Sequence, residues 1–168
     1  MTIVIDAGHG GNDTGVIINN LSEKDIVYNI SQKIKAFENE NIEIILLRDN
    51  DSFLSLKDRV EKINTIEPDL VISLHLDNSK DENSKGTKAY IHKNKLVRTS
   101  HFFASNILKQ LNINTNDIEF ANFYLLKHSN SPAVNLYLGN FSNKEDKSFL
   151  TSELGQNYVA KQIFQSLE

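Results

Sequence analysis

The residues with the clearest chemical potential are two histidines that follow short apolar runs. His9 comes shortly after residues 3–5 (Ile-Val-Ile), and His75 directly follows residues 70–74 (Leu-Val-Ile-Ser-Leu). In an open α/β sheet, functional side chains gather beyond the carboxyl ends of the strands, where the loops converge. Two imidazoles and one carboxylate can hold zinc and leave a fourth position open. His9 and His75 are therefore candidate ligands of one metal ion, and the alternative for each is a structural role.

A third ligand of this kind would be a carboxylate near the same strand ends. The candidates in the sequence are Asp6, Asp13, Glu23, Asp25 and Asp77. Glu23 opens a predicted helix after a long glycine-containing loop, so its side chain can point back towards the strand ends. From spacing alone, the favourable interaction of an acid with a helix N-terminus explains Glu23 better than metal ligation does. Asp6 is better placed to hold an imidazole in one tautomer, and its alternative role is turn formation.

Alternating strands and helices must position these side chains. Apolar runs predict strands at residues 3–5, 42–47, 70–74, 87–91, 123–126 and 134–138. Apolar residues at helical spacing predict helices across residues 26–37, 56–63, 103–111 and 158–167. Ser22 and Asp25 are suited to cap the first of these helices. Because continuously apolar strands are typical of a parallel sheet covered on both sides, the sequence predicts one α/β domain over residues 1–168, with a mostly parallel sheet and helices on both faces.

Composition and charge exclude several classes of protein. A chain of 168 residues can bury a sizeable core without disulfides or a metal. It contains no cysteine, which excludes disulfides, thiolate metal sites and a cysteine nucleophile. The net charge of −4 argues against a nucleic-acid partner. No apolar run approaches the roughly 18 residues of a membrane span, and the run before Asp6 is too short for the core of a signal peptide.

Seven short stretches of the chain form an ordered set of motifs. They are residues 3–11 (IVIDAGHGG), 21–25 (LSEKD), 47–51 (LRDND), 56–60 (LKDRV), 70–75 (LVISLH), 123–126 (FYLL) and 131–134 (SPAV). In this order they resemble the zinc-dependent N-acetylmuramoyl-L-alanine amidases of the type-3 amidase family. The resemblance covers nearly the whole chain. Each motif is weak alone, and together they are specific.

This resemblance implies a ligand set and a reaction. His9, Glu23 and His75 match the three zinc ligands of the family, so the resemblance favours metal ligation for Glu23. The family hydrolyses the amide that joins N-acetylmuramic acid to the first L-alanine of the peptidoglycan stem. The resemblance therefore implies Zn²⁺ as cofactor and peptidoglycan or a muropeptide as partner. It also implies an extracytoplasmic location, in the periplasm or the cell wall, although this chain shows no signal peptide.

One position departs from the family pattern. The last family motif reads Pro-Ala-Val-Leu-Val-Glu-Leu-Gly-Phe, and its Glu is the general base and acid, whereas residues 132–140 read PAVNLYLGN. Tyr137 occupies the position of that Glu, and Asn135 replaces an apolar residue. A phenol with a pKa of about 10 cannot take a proton from activated water as a carboxylate does. We therefore expect Tyr137 either to hydrogen-bond a substrate carbonyl or to fill the space of the missing carboxylate.

Three functions stay open at the level of sequence. The first is a zinc-dependent peptidoglycan amidase whose activity is weak or lost because of Tyr137. The second is a pseudoenzyme, an inactive amidase-like domain that binds a muropeptide or a protein partner. The third is a metal-free α/β interaction domain in which His9 and His75 are structural.

Overall fold

Eight strands are present in the computed structural model, which describes residues 1–112 and 118–168. They are β1 (Thr2–Ala7), β2 (Ile17–Ile18), β3 (Leu21–Ser22), β4 (Glu43–Leu46), β5 (Leu70–Asp77), β6 (Lys88–Ile91), β7 (Ile118–Phe120) and β8 (Ala133–Asn140). Six of them form one sheet in the order β4-β1-β5-β8-β6-β7, while β2 and β3 pair separately. Strands β4, β1, β5 and β8 are parallel, β6 is antiparallel to β8, and β7 is parallel to β6. The predicted mostly parallel sheet is confirmed.

Helices cover both faces of this sheet. They are α1 (Glu23–Lys35), α2 (Leu56–Ile66), α3 (Val97–Gln110), α4 (Tyr124–His128), α5 (Lys144–Thr151) and α6 (Glu153–Gln165). The larger core joins one face to apolar residues of α1, α3 and α6, and the smaller core joins the other face to α2 and α4. The chain is thus the predicted single α/β domain. Among the described residues, no helix is both long and apolar enough to cross a membrane.

Helix α1 begins where the sequence predicts it. Ser22 has the extended backbone of an N-cap residue, and its hydroxyl accepts a hydrogen bond from the backbone N–H of Asp25. Such a cap satisfies one of the N–H groups left free at a helix start. Ile26, Ile30 and Ile34 then face the larger core with 5% exposure or less. The cap therefore fixes Glu23 as the first helical residue, at the end of α1 nearest the strand ends.

The predicted strand at residues 123–126 is wrong, because this segment enters helix α4. The N–H of Lys127 donates to the carbonyl of Phe123, and Leu125 and Leu126 are buried in the smaller core. A run of four apolar residues fits a buried strand and one turn of a buried helix equally well. Here Leu125 and Leu126 pack against residues of α2, which favours the helical turn. The sixth strand of the sheet is instead β7.

The outer edge of β4 is covered by side chains from the end of α1 and the loop after it. The N–H of Ile44 donates to Glu38 Oε2 at 2.7 Å, and its carbonyl accepts from Lys35 Nζ at 2.6 Å. Lys35 and Glu38 also form an ion pair with each other at 2.6 Å. Both outward-facing backbone groups of Ile44 are therefore satisfied within the chain.

Candidate metal centre

Strands β1, β5 and β8 place their polar residues in rows on one face of the sheet. Asp6 is in register with Ser73, and Ser73 with Asn135. One step further along the strands, His75 is in register with Tyr137. Because the strands are parallel, this second row lies at their carboxyl ends. The sheet thus places His75 and Tyr137 side by side at the edge where the loop carrying His9 also emerges.

Three side chains converge at this edge. His9 Nε2 lies 3.0 Å from Glu23 Oε1, and His75 Nδ1 lies 3.2 Å from the same oxygen. One ligand atom from each residue lies within 4.8 Å of the others. In a tetrahedral zinc site with ligands at 2.0–2.1 Å, neighbouring ligand atoms are about 3.3 Å apart. The arrangement of His9, Glu23 and His75 therefore fits a metal site with two imidazoles and one carboxylate.

Glu23 is held in place from both carboxylate oxygens. Its side chain is buried, Oε1 accepts from the N–H of Leu76 at 2.9 Å, and Oε2 accepts from the N–H of Val16 at 3.1 Å. Burial alone would raise the pKa of Glu23, but hydrogen bonds from His75, His9 and the Leu76 N–H hold its pKa well below the usual value. Glu23 is therefore an ionised carboxylate in the folded protein.

A second carboxylate lies beside the imidazole of His9. Asp13 Oδ1 lies 2.9 Å from Nδ1, while Nε2 faces Glu23. Although burial lowers the pKa of His9, the two carboxylates raise it above its usual value. A partner on one ring nitrogen fixes which nitrogen is free to bind a metal. Asp13, instead of Asp6, is therefore the carboxylate that lies beside this ring nitrogen.

Asp6 itself is part of a different contact. It is 2% exposed, pairs through Oδ1 with the guanidinium of Arg59, and accepts through Oδ2 from the hydroxyl of Ser73 at 2.8 Å. Its side chain points to the face of the sheet that α2 covers, which brings it to Arg59 instead of an imidazole. The prediction that Asp6 holds an imidazole is therefore wrong. Asp6 binds Arg59, and Arg59 donates to the backbone carbonyl of His9. Of the other acidic candidates, Asp25 bonds Ser22 and Asp77 lies 3.6 Å from the Lys88 amine.

Two buried arginines hold the loop that carries His9. Arg59 donates to the carbonyl oxygens of residues 7 and 9, and Arg48 donates to those of residues 7 and 8. Arg48 also donates to the carbonyl of Lys24 at 3.0 Å, next to the third ligand. His9 has a φ of 62°, in the left-handed region that residues with a Cβ rarely adopt. The sequence contains both arginines within the family-like motifs, but no local pattern shows that they are buried and bind backbone.

Two glycines provide the space that the candidate ligands occupy, because they carry no side chain. A Cβ on Gly8 would lie 2.4 Å from His75 Cε1. A Cβ on Gly15, which has a φ of 61°, would lie 2.6 Å from Glu23 Oε2 and 2.7 Å from His9 Cδ2. The three candidate ligands therefore approach the backbone more closely than any side chain at these two positions would permit.

Tyr137 packs directly against the ligand set. Its ring stacks on His75 with centroids 5.6 Å apart, and it meets the edge of Tyr90 at 5.3 Å. Burial, and then the charge of Glu23, raise the pKa of Tyr137 above its usual value. The side chain is a neutral phenol near pH 7. It can donate or accept a hydrogen bond, but it cannot serve as a carboxylate base.

A cavity of about 370 Å³ opens beside these residues. Its floor contains Ser73, Asn135 and Tyr137, and its walls are mainly apolar. The wall residues are Phe53, Leu54, Leu56, Phe123, Tyr124 and Leu125. The volume lies within the range of small-molecule sites, which are typically apolar with a few placed polar groups.

The family model for N-acetylmuramoyl-L-alanine amidases matches residues 3–168 of the chain. The chain belongs to this family. The resemblance inferred from the sequence motifs is thereby confirmed, and family membership and fold together indicate a hydrolase of peptidoglycan. The residues that match the family's zinc ligands are the three that the fold brings together.

Individual amidases and related proteins agree with this assignment. The chain is 34% identical to the uncharacterized protein YqiI of Bacillus subtilis, over 99% of this chain and 83% of YqiI. It is 31% identical to the N-acetylmuramoyl-L-alanine amidase LytC of B. subtilis, over 96% of this chain and 34% of LytC. It is also 31% identical to the probable cell wall amidase LytH of Staphylococcus saprophyticus, over 99% of this chain and 57% of LytH. The chain thus spans between about a third and four fifths of these relatives.

Solved structures of amidases have the same fold. The catalytic domain of CwlV from Bacillus (Paenibacillus) polymyxa var. colistinus matches with a TM-score of 0.90 at 28% identity, over 99% of this chain and 95% of that chain. The amidase CwlD from Clostridioides difficile, in complex with the GerS lipoprotein, matches with a TM-score of 0.90 at 29% identity, over 99% and 95% of the two chains. The amidase fold is therefore present over almost the full length of the chain.

Replacing Gly8 by alanine tests whether the amidase ligand set depends on this close approach. Because the new Cβ would displace the ring of His75, Gly8→Ala should weaken affinity for a divalent ion by about 10–100-fold. Competition titration against a chromophoric chelator measures this. Gly86→Ala is the control for backbone strain away from the site, since Gly86 has a φ of 95° but a Cβ there meets nothing within 4 Å. Equal affinities of the two variants would contradict the prediction.

The hydrogen bonds from Arg59 to the loop that carries His9, and its pairing with Asp6, can be tested by measuring the free energy of unfolding. Arg59→Met leaves Asp6 as an unpaired buried charge and should lower the free energy of unfolding by about 3–5 kcal/mol. Denaturant unfolding monitored by circular dichroism measures this. The exposed Arg98 provides the matched control, and Arg98→Met should change stability by less than about 0.5 kcal/mol. Similar losses in the two variants would disprove the role given to the buried pair.

Proposed function

We propose that the chain, over residues 1–168, is a zinc-dependent N-acetylmuramoyl-L-alanine amidase domain of weak activity. The observation that carries the proposal is the convergence of two imidazoles and one buried carboxylate, from His9, His75 and Glu23, in a member of this family. The proposed substrate is the amide between N-acetylmuramic acid and L-alanine in peptidoglycan. Since the relatives include probable cell wall amidases, the proposed location is extracytoplasmic.

The donor set fits zinc by its chemistry. Nitrogen ligands from two imidazoles and one carboxylate oxygen are a common set for catalytic zinc, and they leave one position open. Zinc in such a site supplies Lewis-acid activation of water and of the scissile carbonyl. Glu23 contributes the negative charge, and Asp13 lies beside Nδ1 of His9, whose Nε2 faces the site. The apolar cavity walls position the ligand and exclude bulk water from the reacting amide.

Tyr137 limits the proposed reaction. Proton transfer by a positioned acid or base typically contributes about 10²–10⁴-fold to the rate. The buried phenol of Tyr137 cannot make that transfer as a carboxylate would, but its O–H can donate a hydrogen bond to a carbonyl of the ligand. We therefore assign Tyr137 a binding role and expect turnover to be slow.

A specific observation favours a second candidate function. Tyr137 stacks on His75 and fills part of the space next to the ligand set. This packing supports an amidase-like domain that binds a muropeptide or a protein partner without hydrolysing it. One structural relative, CwlD, is in complex with a lipoprotein, so a protein partner for this chain is part of this second proposal.

Zinc binding and hydrolysis measured on the same sample test the proposal. We expect one zinc ion per chain and slow release of L-alanine-linked peptide from a defined muramyl peptide. His75→Ala should weaken zinc affinity by more than about 100-fold and remove the activity. The control is His101→Ala, an exposed histidine of α3 whose loss should change neither quantity. Zinc without turnover would favour the binding domain, and a protein that stays metal-free would favour the metal-free interaction domain.

Restoring the family's carboxylate tests the role of Tyr137. Tyr137→Glu should raise the amidase rate by about 10²–10⁴-fold, because it supplies the missing proton-transfer group. Tyr137→Gln is the matched control. Glutamine has nearly the shape of glutamate but no ionisable group, so this variant should show no gain in rate. Hydrolysis of the zinc-loaded variants is followed by chromatography. No gain in a Tyr137→Glu protein that binds zinc would show that more of the site than this residue has diverged.

A further inference from the structure

Asn135 lies in the middle of the cavity floor. It occupies β8 between Ser73 of β5 and Tyr90 of β6, with which it is in register. It precedes Tyr137 by two residues, and successive side chains of a strand alternate between faces, so the two side chains lie on the same face. Both line the cavity. Asn135 is therefore one step deeper in the cavity than the row of the candidate ligands.

The side-chain carbonyl of Asn135 is a buried acceptor without a partner. The residue is 6% exposed, and among the described residues no group donates a hydrogen bond to Oδ1. The neighbours of Asn135 on β5 and β1 are already paired, because Ser73 donates to Asp6 and Asp6 binds Arg59. Buried polar groups are almost always hydrogen-bonded, and leaving one unpaired destabilises the fold. An apolar residue would be more stable at this position.

Asn135 lies in the stretch of the sequence that departs from the family pattern. In the family-like motif of residues 132–140, the sequence departs at Asn135, where the family has an apolar residue, and at Tyr137, where it has the catalytic Glu. Both changes lie on the same face of β8 and line the same cavity. A destabilising polar residue that faces the binding cavity is expected where it contacts a ligand.

We propose that the side-chain amide of Asn135, turned so that Oδ1 faces the cavity, accepts a hydrogen bond from an amide N–H of a muramyl peptide bound there. This inference rests on the proposed function and adds a specificity-determining residue to it. The leucine side chains of the walls, at residues 54, 56 and 125, suit the methyl groups of a short peptide better than a hydroxyl-covered sugar. The peptide N–H groups then supply the donor that the cavity floor lacks.

Calorimetry of zinc-loaded protein with N-acetylmuramoyl-L-alanyl-D-isoglutamine tests this inference, with KM measured instead where the probe is hydrolysed. Asn135→Leu should weaken binding by about 3–10-fold, the effect of one lost hydrogen bond. The same variant should raise the melting temperature by about 2–4 °C, because it removes an unpaired buried acceptor. Asn135→Ala should weaken binding to a similar extent. Because alanine is smaller than asparagine, this variant needs no rearrangement of the neighbouring side chains.

Asn140 provides the matched control for stability. It is also buried in β8, but its side chain donates to the carbonyls of Asp81 and Ser84 and accepts from the N–H groups of Ser79 and Ser142. Asn140→Leu should therefore lower the melting temperature, the opposite of Asn135→Leu.

The outcomes separate the inference from the proposed function. Wild-type protein that binds the probe as tightly as both Asn135 variants would overturn the inference and leave the amidase proposal intact. Wild-type protein that binds neither zinc nor the probe would overturn both. The peptide-free disaccharide of N-acetylglucosamine and N-acetylmuramic acid is the second probe. If Asn135→Leu weakened its binding equally, the donor would be a sugar hydroxyl, and the assignment to a peptide N–H would be wrong.

Discussion

The position of the His9 imidazole depends on a backbone conformation that has to be imposed by the surrounding residues. A left-handed φ at a residue with a Cβ costs about 1–3 kcal/mol and persists only where other contacts fix it. Arg48 and Arg59 fix it by binding the carbonyl oxygens of residues 7–9. Asp6 balances the charge of Arg59 inside the protein. The ligand geometry is thus prepared by contacts of the chain with itself.

The site divides into two parts with different chemical roles. The part that we propose holds a metal comes from the loop after β1, the start of α1 and the end of β5, and it supplies His9, Glu23 and His75. The part that moves protons in the family would come from β8, and there the chain has Tyr137. Because the two parts lie on different elements, metal binding and proton transfer can change independently. This separation explains how an amidase fold can keep its ligand set without its carboxylate base.

Much of this arrangement could be predicted from the sequence, for identifiable reasons. His9 and His75 were predictable because parallel strands bring their carboxyl ends together, and the start of α1 was predictable from the local cap at Ser22. The segment at residues 123–126 was not, since its short apolar run has no periodicity that separates a strand from a helical turn. The pairing of Asp6 with Arg59 depends on side chains meeting across the fold, which local patterns do not record.

The covered edge of β4 bears on how this protein can associate with other chains. An open edge strand is a template for strand addition, either by a bound peptide or by another copy during aggregation. At Ile44 the charged groups of Lys35 and Glu38 already occupy the positions that an incoming strand would need. An extended peptide could join there only by breaking an ion pair and two hydrogen bonds. At Ile44, this edge of the sheet is thereby protected against the addition of another strand.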